Sequence, residues 1–241
     1  MNAIVIKELT KKYGDLAAVD HLSLTVKQGE LFALLGVNGA GKSTTIKLLS
    51  CLIKPTGGDA ALLGDSIVSN PHAVKEKINI SPQETAVAAN LTVFENLALI
   101  AGIYGQDSKT AKKHAQELAE RFGLQESLHK KAKHLSGGMQ RRLSIALALI
   151  SDPQILFLDE PTLGLDVLAR RELWALIKEL KGHITIILTT HYMDEVEHLS
   201  DRVGIMTKGQ LTAVGTVAEL LTKTGASTLE DAFVVLSGGA L

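Results

Sequence analysis

The stretch Gly36-Val37-Asn38-Gly39-Ala40-Gly41-Lys42-Ser43 limits what this chain can fold into more than any other. Its spacing (Gly, four residues, then Gly-Lys-Ser) is that of a backbone loop that cradles phosphate. Gly36, Gly39 and Gly41 carry no Cβ, so the chain can wrap closely round an anion and turn its N–H groups inward. Lys42 adds a point charge for the outer phosphates, and the Ser43 hydroxyl is a ligand for Mg²⁺. Such a loop needs a strand before it and a helix after it. Leu31-Phe32-Ala33-Leu34-Leu35 is an apolar run suited to a buried strand. Thr44-Thr45-Ile46-Lys47-Leu48-Leu49 reads as a helix whose N-terminal dipole faces the phosphates.

With 241 residues the chain has room for one substantial globular unit or two closely packed ones. A formal net charge of -1 supplies no overall attraction to nucleic acid or to an anionic bilayer. Cys51 is the only cysteine, which excludes an internal disulfide, and its neighbours Leu48, Leu49 and Leu52 predict a buried position. The first residues lack the basic start and long apolar stretch of a secretory signal. No apolar run reaches the ~18 residues of a membrane-spanning helix. The chain is expected to be soluble, or to reach a membrane only through a partner.

Residues 3–9 and 22–26 read as strands, and 27–30 turn into the strand at 31–35, an antiparallel opening. Tyr13 falls between the first two, either as a ring packed over a turn or as a platform for a base. Pro55-Thr56-Gly57-Gly58-Asp59 predicts a turn, and Ile78-Asn79-Ile80-Ser81 a strand closed by Pro82-Gln83-Glu84. From about 91 to 150 the pattern is helical, broken near 102–108 and 123–127, with Ala111, Ala115, Leu118, Ala119 and Phe122 at helical spacing. Ile155-Leu156-Phe157-Leu158 has the unbroken apolar character of a strand inside a parallel sheet. A helix over 167–181 follows, capped by Asp166, then a buried-type strand over 184–190 that ends at His191. A strand at 203–206 and a turn at 208–210 continue the alternation. The expected fold is α/β. Residues 1–84 form an antiparallel β part and the first portion of a nucleotide-binding core, 85–149 an inserted helical subdomain, and 150–241 the second portion of the core with a C-terminal tail.

The chemistry collects where strands end. Asp159 and Glu160 close an apolar strand, and in open α/β sheets ligands gather outside such carboxyl ends. Asp159 is placed to hold Mg²⁺, and Glu160, free of the metal, is the candidate general base. His191 ends the next strand. A lone histidine is more often structural; if it acts, sensing a γ-phosphate suits it better than binding a hard metal. Leu135-Ser136-Gly137-Gly138-Met139-Gln140 is either a plain capped helix start or a second anion nest, with Arg141 and Arg142 in the first turns. A second nest without a metal site of its own suits a nucleotide held by another subunit.

In order and spacing these motifs resemble the ATP-binding cassette (ABC) ATPases over nearly the whole chain. The resemblance rests on the loop 36–43, Gln83, Leu-Ser-Gly-Gly at 135–138, Asp159-Glu160, Gly164-Leu165-Asp166 and His191. It implies a RecA-like phosphate-loop core binding ATP and Mg²⁺, with an N-terminal antiparallel β subdomain and an inserted helical one. It further implies that Tyr13 stacks on adenine and that residues 36–44, through Thr44, hold the phosphates. Gln83 reaches the metal and the attacking water, and His191 is a switch. Ser136, Gly137 and Gly138 contact nucleotide bound to the opposite subunit, and Asp166 lies in a loop crossing the dimer interface. Val37 stands where proline is common in the family, and Met139-Gln140 follow the signature as in many members; the catalytic positions are filled.

The leading expectation is therefore the ATPase subunit of a membrane transporter, paired with a second ATPase subunit and held at the cytoplasmic face by a separate permease. Thr228-Leu229-Glu230-Asp231-Ala232-Phe233 resembles the C-terminal motif of drug-resistance-type exporters, although an ordinary amphipathic helix would read the same way, and favours export over import. The alternative is a soluble cassette acting on ribosomes or nucleic acid. The near-neutral charge and the lack of sustained heptads disfavour it. A cassette that binds without turnover is disfavoured by Glu160 and His191.

Overall fold

The computed structural model describes residues 1–238. Its centre is a six-stranded sheet in which β3 (Leu31–Leu35), β6 (Ile78–Ser81), β7 (Ile155–Asp159), β8 (Thr185–Thr190) and β9 (Arg202–Thr207) run parallel, with β10 (Gln210–Gly215) antiparallel at one edge. The order is β10-β9-β3-β8-β7-β6. Every residue of β3, β7 and β8 is buried, so their sequences lack polar alternation. Alternation persists in the packing. Leu156 and Leu158 enter one cluster, with the helical layer, while Ile155 and Phe157 enter the other. A period of two thus sorts a uniformly apolar strand onto two faces.

The second face carries α1 (Lys42–Leu49) and a four-stranded antiparallel sheet, ordered β2-β1-β4-β5. Strands β1 (Asn2–Tyr13) and β2 (Leu16–Lys27) form a hairpin, longer than their sequence predicts. Register shifts along the pair interrupt the alternation, which therefore looks finished at residue 9. The turn predicted at 55–59 is corrected: β4 (Gly57–Leu62) begins inside it and pairs with β1. Gly58 has φ +70°, and a Cβ there would sit 2.1 Å from the Glu8 carbonyl oxygen. The glycine is in a strand because another backbone approaches it. The short β5 (Asp65–Ser66) and α2 (Pro71–Lys75), which lead on to β6, have no counterpart in the sequence reading.

The first face is covered by α3 (Val93–Ile103), α4 (Ser108–Arg121), α5 (Gly137–Leu149) and α6 (Val167–Leu180). Thr92 and Glu95 form a reciprocal capping box on α3, and Asp107 caps α4. Between α4 and α5 lie two single turns of 3-10 helix, a longer interruption than the sequence suggests. Beyond the sheet, α7 (Met193–Leu199), α8 (Val217–Thr224) and α9 (Leu229–Leu236) enclose a third cluster with Ala33, Leu35 and Val203. Cys51 is half-buried rather than in the core, at φ +56° just past α1.

Candidate active site

Because β3, β6, β7 and β8 are parallel and in register, their carboxyl ends bring the loop 36–43, Gln83, Asp159-Glu160 and His191 to one edge. A cavity of about 580 Å³ opens there, lined by residues 38–44, Gln83 and Glu160, with Leu16, Ala17, Ala18 and Lys208 completing its wall.

The loop is tightly housed. A Cβ on Gly36 would lie 2.5 Å from the Met206 carbonyl oxygen, and one on Gly41, at φ +105°, 2.3 Å from that of Ala18. No side chain among the described residues caps α1, so its first N–H groups remain available to an anion. Lys42 is buried. Its Nζ donates to the carbonyls of Gly36 at 2.7 Å and Val37 at 3.3 Å, and lies 3.4 Å from Glu160 Oε1. Ser43 Oγ donates to Asp159 Oδ1 at 3.1 Å, and Thr189 Oγ1 donates to the same oxygen at 2.5 Å. Hard oxygen donors thus gather beside the phosphate cradle, the set that Mg²⁺ prefers.

Glu160 adopts φ +47°, a left-handed conformation costing a non-glycine residue about 1–2 kcal/mol. Its N–H is held by Thr189 O and Thr189 Oγ1, both at 3.1 Å. The turn leaves the carboxylate buried between two nitrogen groups: Lys42 Nζ on one oxygen, and His191 Nδ1 at 3.2 Å from the other. The His191 contact is close but not aligned for a hydrogen bond, so Nδ1 has no hydrogen-bond partner among the described residues. The ring packs on Tyr192, with centroids 4.1 Å apart, and Tyr192 is itself covered by Arg170, which pairs with Asp194 at 3.0 Å.

The sequence-selected residues do not all converge. Gln83 lines the cavity with an exposed side chain. Tyr13 ends β1 opposite Leu16; Leu16 lines the cavity and Tyr13 does not, its half-exposed ring lying under the Lys11 ammonium at 5.1 Å. Ser136, Gly137, Gly138 and Asp166 are also outside that lining. Ser136 caps α5 by accepting from the Met139 N–H, and Asp166 caps α6 by accepting from the N–H groups of Leu168 and Ala169 at 2.9 Å each. The two arginines in the first turns of α5 have surroundings of their own. Arg142 lies 3.7 Å from Glu172, and Arg141 is buried. Ala17, Ala18, Lys208 and Thr189 were missed by the sequence reading. Only the threonine gives a signal, as one of two threonines that close the apolar middle of β8.

A family model described as ABC transporter matches residues 19–163, more than half of the chain. The chain belongs to the ABC transporter family. This cassette is 41% identical over 240 residues to the probable multidrug ABC transporter ATP-binding protein YbhF of Escherichia coli. That match takes in 97% of the cassette but only 41% of the relative's length. It is 40% identical over 228 residues to the daunorubicin/doxorubicin resistance ATP-binding protein DrrA of Streptomyces peucetius, covering 94% of this chain and 69% of that one. Among solved structures, an ATP-binding subunit of an ABC transporter superposes with a TM-score of 0.86 at 30% identity, covering 98% and 99% of the two chains. A dimeric post-hydrolysis ATP-binding cassette bound to ADP and Pi superposes at 0.79 and 27% identity, covering 89% and 98%. The cassette therefore has the family's α/β nucleotide-binding fold.

Proposed function

We propose that this cassette binds and hydrolyses ATP as one of two such subunits beneath a separate permease, and that the work done is export. The observation that carries the reading is Glu160. A strained turn at a strand's carboxyl end aims a buried carboxylate between the phosphate-loop lysine and His191.

In this reading the N–H groups of residues 36–44 and the Lys42 ammonium hold the phosphates, and Ser43, Asp159 and Gln83 are the ligands that would hold Mg²⁺. Bound there, the metal would neutralise phosphate charge. Glu160 accepts the proton of the attacking water, and His191 faces the outer phosphate. Leu16 and Tyr13 offer the base an apolar wall and a ring face. Ser136, Gly137 and Gly138 act on the nucleotide of a second copy, which is why they need not face their own cavity. Exposed Leu163, Val167 and Leu168 flank Asp166 and favour a covered surface there.

Permease docking is supported by a groove of about 270 Å³ between the β6 end and α3, where Ile103 and Tyr104 are exposed. No helix among the described residues is long and apolar enough to cross a membrane. Export is supported by the drug-resistance relatives and by α9, whose Leu229, Ala232 and Phe233 are buried while Glu230 stays exposed. Held to the cytoplasmic face by the permease, the cassette would be peripheral. The test is affinity purification from native membranes with an ATPase assay. Recovery of a multispanning protein and Mg²⁺-dependent turnover are expected; recovery with ribosomes or DNA alone would overturn the transport reading.

A further inference from the structure

Arg141 sits one turn into α5 with its side chain almost wholly buried, and its guanidinium forms no ion pair with a carboxylate among the described residues. It donates five hydrogen bonds, all to backbone carbonyls. Nε donates to Pro161 O at 2.7 Å. Nη1 donates to Pro82 O at 2.5 Å and Gln83 O at 3.1 Å. Nη2 donates to Asp159 O and Glu160 O, both at 2.8 Å. Guanidinium has five N–H groups in a fixed planar fork, so every donor is used and none remains for phosphate. Burial pushes the pKa down to about 10 against the pull of Asp159, Glu195 and Glu160, leaving the group charged at neutral pH.

The five carbonyls come from two segments only, the Pro82-Gln83 end of β6 and the Asp159–Pro161 end of β7. They include the carbonyl of Glu160 itself, whose N–H is fixed on the other side by Thr189. Both peptides that flank the strained Glu160 Cα are thereby pinned. One cation also joins Gln83 to Glu160, the two residues assigned above to the attacking water.

We propose that Arg141 is a positioning residue for hydrolysis: it holds the Glu160 turn and the Gln83 segment in one register on helix α5. A shift of the Gln83 segment then reaches Glu160 through the guanidinium. The inference rests on the ATPase reading. Lysine cannot replace it fully, since an ammonium has three donors and no planar fork.

The test compares wild type, Arg141→Lys and Arg141→Met in steady-state hydrolysis, with affinity for a fluorescent ATP analogue and thermal unfolding measured in parallel. Arg141→Met is expected to lower kcat by about 10²-fold, the effect of misplacing a reacting group by an ångström. KM and analogue affinity should stay within about threefold, and Arg141→Lys should recover part of the lost kcat. A methionine variant with wild-type kcat overturns the inference. So does loss of kcat, affinity and folding together in both variants, which is a purely structural role. Should only the methionine variant fail to fold, the lysine variant decides: reduced kcat at unchanged KM supports the proposal, and unchanged kcat overturns it. A wild-type chain without turnover removes the ATPase reading and this inference with it; an active wild type beside an active Arg141→Met removes the inference alone.

Discussion

Replacing Glu160 by glutamine isolates what its carboxylate does. The amide keeps the side chain's length, and the backbone contacts to Thr189 and Arg141 that hold the turn do not involve the side chain. What is lost is the ability to take a proton, a contribution of about 10²–10⁴ in rate, or about 3–5 kcal/mol of barrier. Binding should move the other way. Glu160 Oε1 lies 3.4 Å from Lys42 Nζ, so in the wild type arriving phosphates must share that ammonium with it. The glutamine variant frees Lys42 of this competitor while leaving its contacts to Gly36 O and Val37 O. Its Kd for MgATP should be no weaker than wild type's and tighter by up to about tenfold, 1.4 kcal/mol. Phosphate release gives kcat, and calorimetric titration gives Kd. Turnover within threefold of wild type would remove Glu160 from the base role. A markedly weakened Kd would show that the Lys42 contact supports the nucleotide site rather than competing with it.

Ser136→Arg should block ATP-driven dimerisation in the Glu160→Gln background; an unchanged dimer mass by light scattering would refute a shared site. Gly41→Ala should destabilise the chain by about 1–3 kcal/mol from the backbone alone, with the overlap at Ala18 O adding to it, and chemical denaturation within 0.5 kcal/mol of wild type would refute this. Asp166→Ala removes the α6 cap and should cost about 1 kcal/mol by the same measurement. Glu195 is buried on α7 with Trp174 Nε1 donating to it at 3.1 Å, and burial raises its pKa against the pull of that hydrogen bond. A raised carboxyl loses stability as pH climbs from its unfolded value through its folded one, so Glu195→Gln should raise Tm most at pH 8 and least near pH 4. A gain that grows on acidification would contradict that assignment.

What could be read from the sequence was whatever a residue type announces. Glycines at 36, 39 and 41 mark a backbone that wraps an anion, and an apolar run closed by Asp159-Glu160 marks a strand ending at a site. The same logic failed at Gly57-Gly58. Two glycines signal a turn, yet here they admit the Glu8 backbone into a strand pair. It failed for α5 too: residues 143–149 are buried all round, so no polar face shows which way Arg141 points. An arginine at a helix start then looks like an anion ligand. The cavity wall was out of reach for another reason. Ala17 and Ala18 are far from Lys208 in sequence, and they meet it through contacts such as Asp20 N–H to Gly209 O at 2.9 Å.

That last failure is general in this site. The four strand ends are joined in series: Gly36 N–H to Thr190 O ties β3 to β8, and the Glu160 N–H and Asp159 carboxylate tie β7 to β8 through Thr189. The Arg141 guanidinium ties β7 to β6 through carbonyls alone. Every residue type has a carbonyl, so such links leave no trace in composition or spacing. The groups that do chemistry are legible because they need particular side chains. The links that would make one strand end respond to another are largely main-chain, and they emerge only when the sheet sets the ends side by side. A helix inserted between β6 and β7 then carries a cation that bridges both, which makes α5 the element where movement at Gln83 and geometry at Glu160 become the same event.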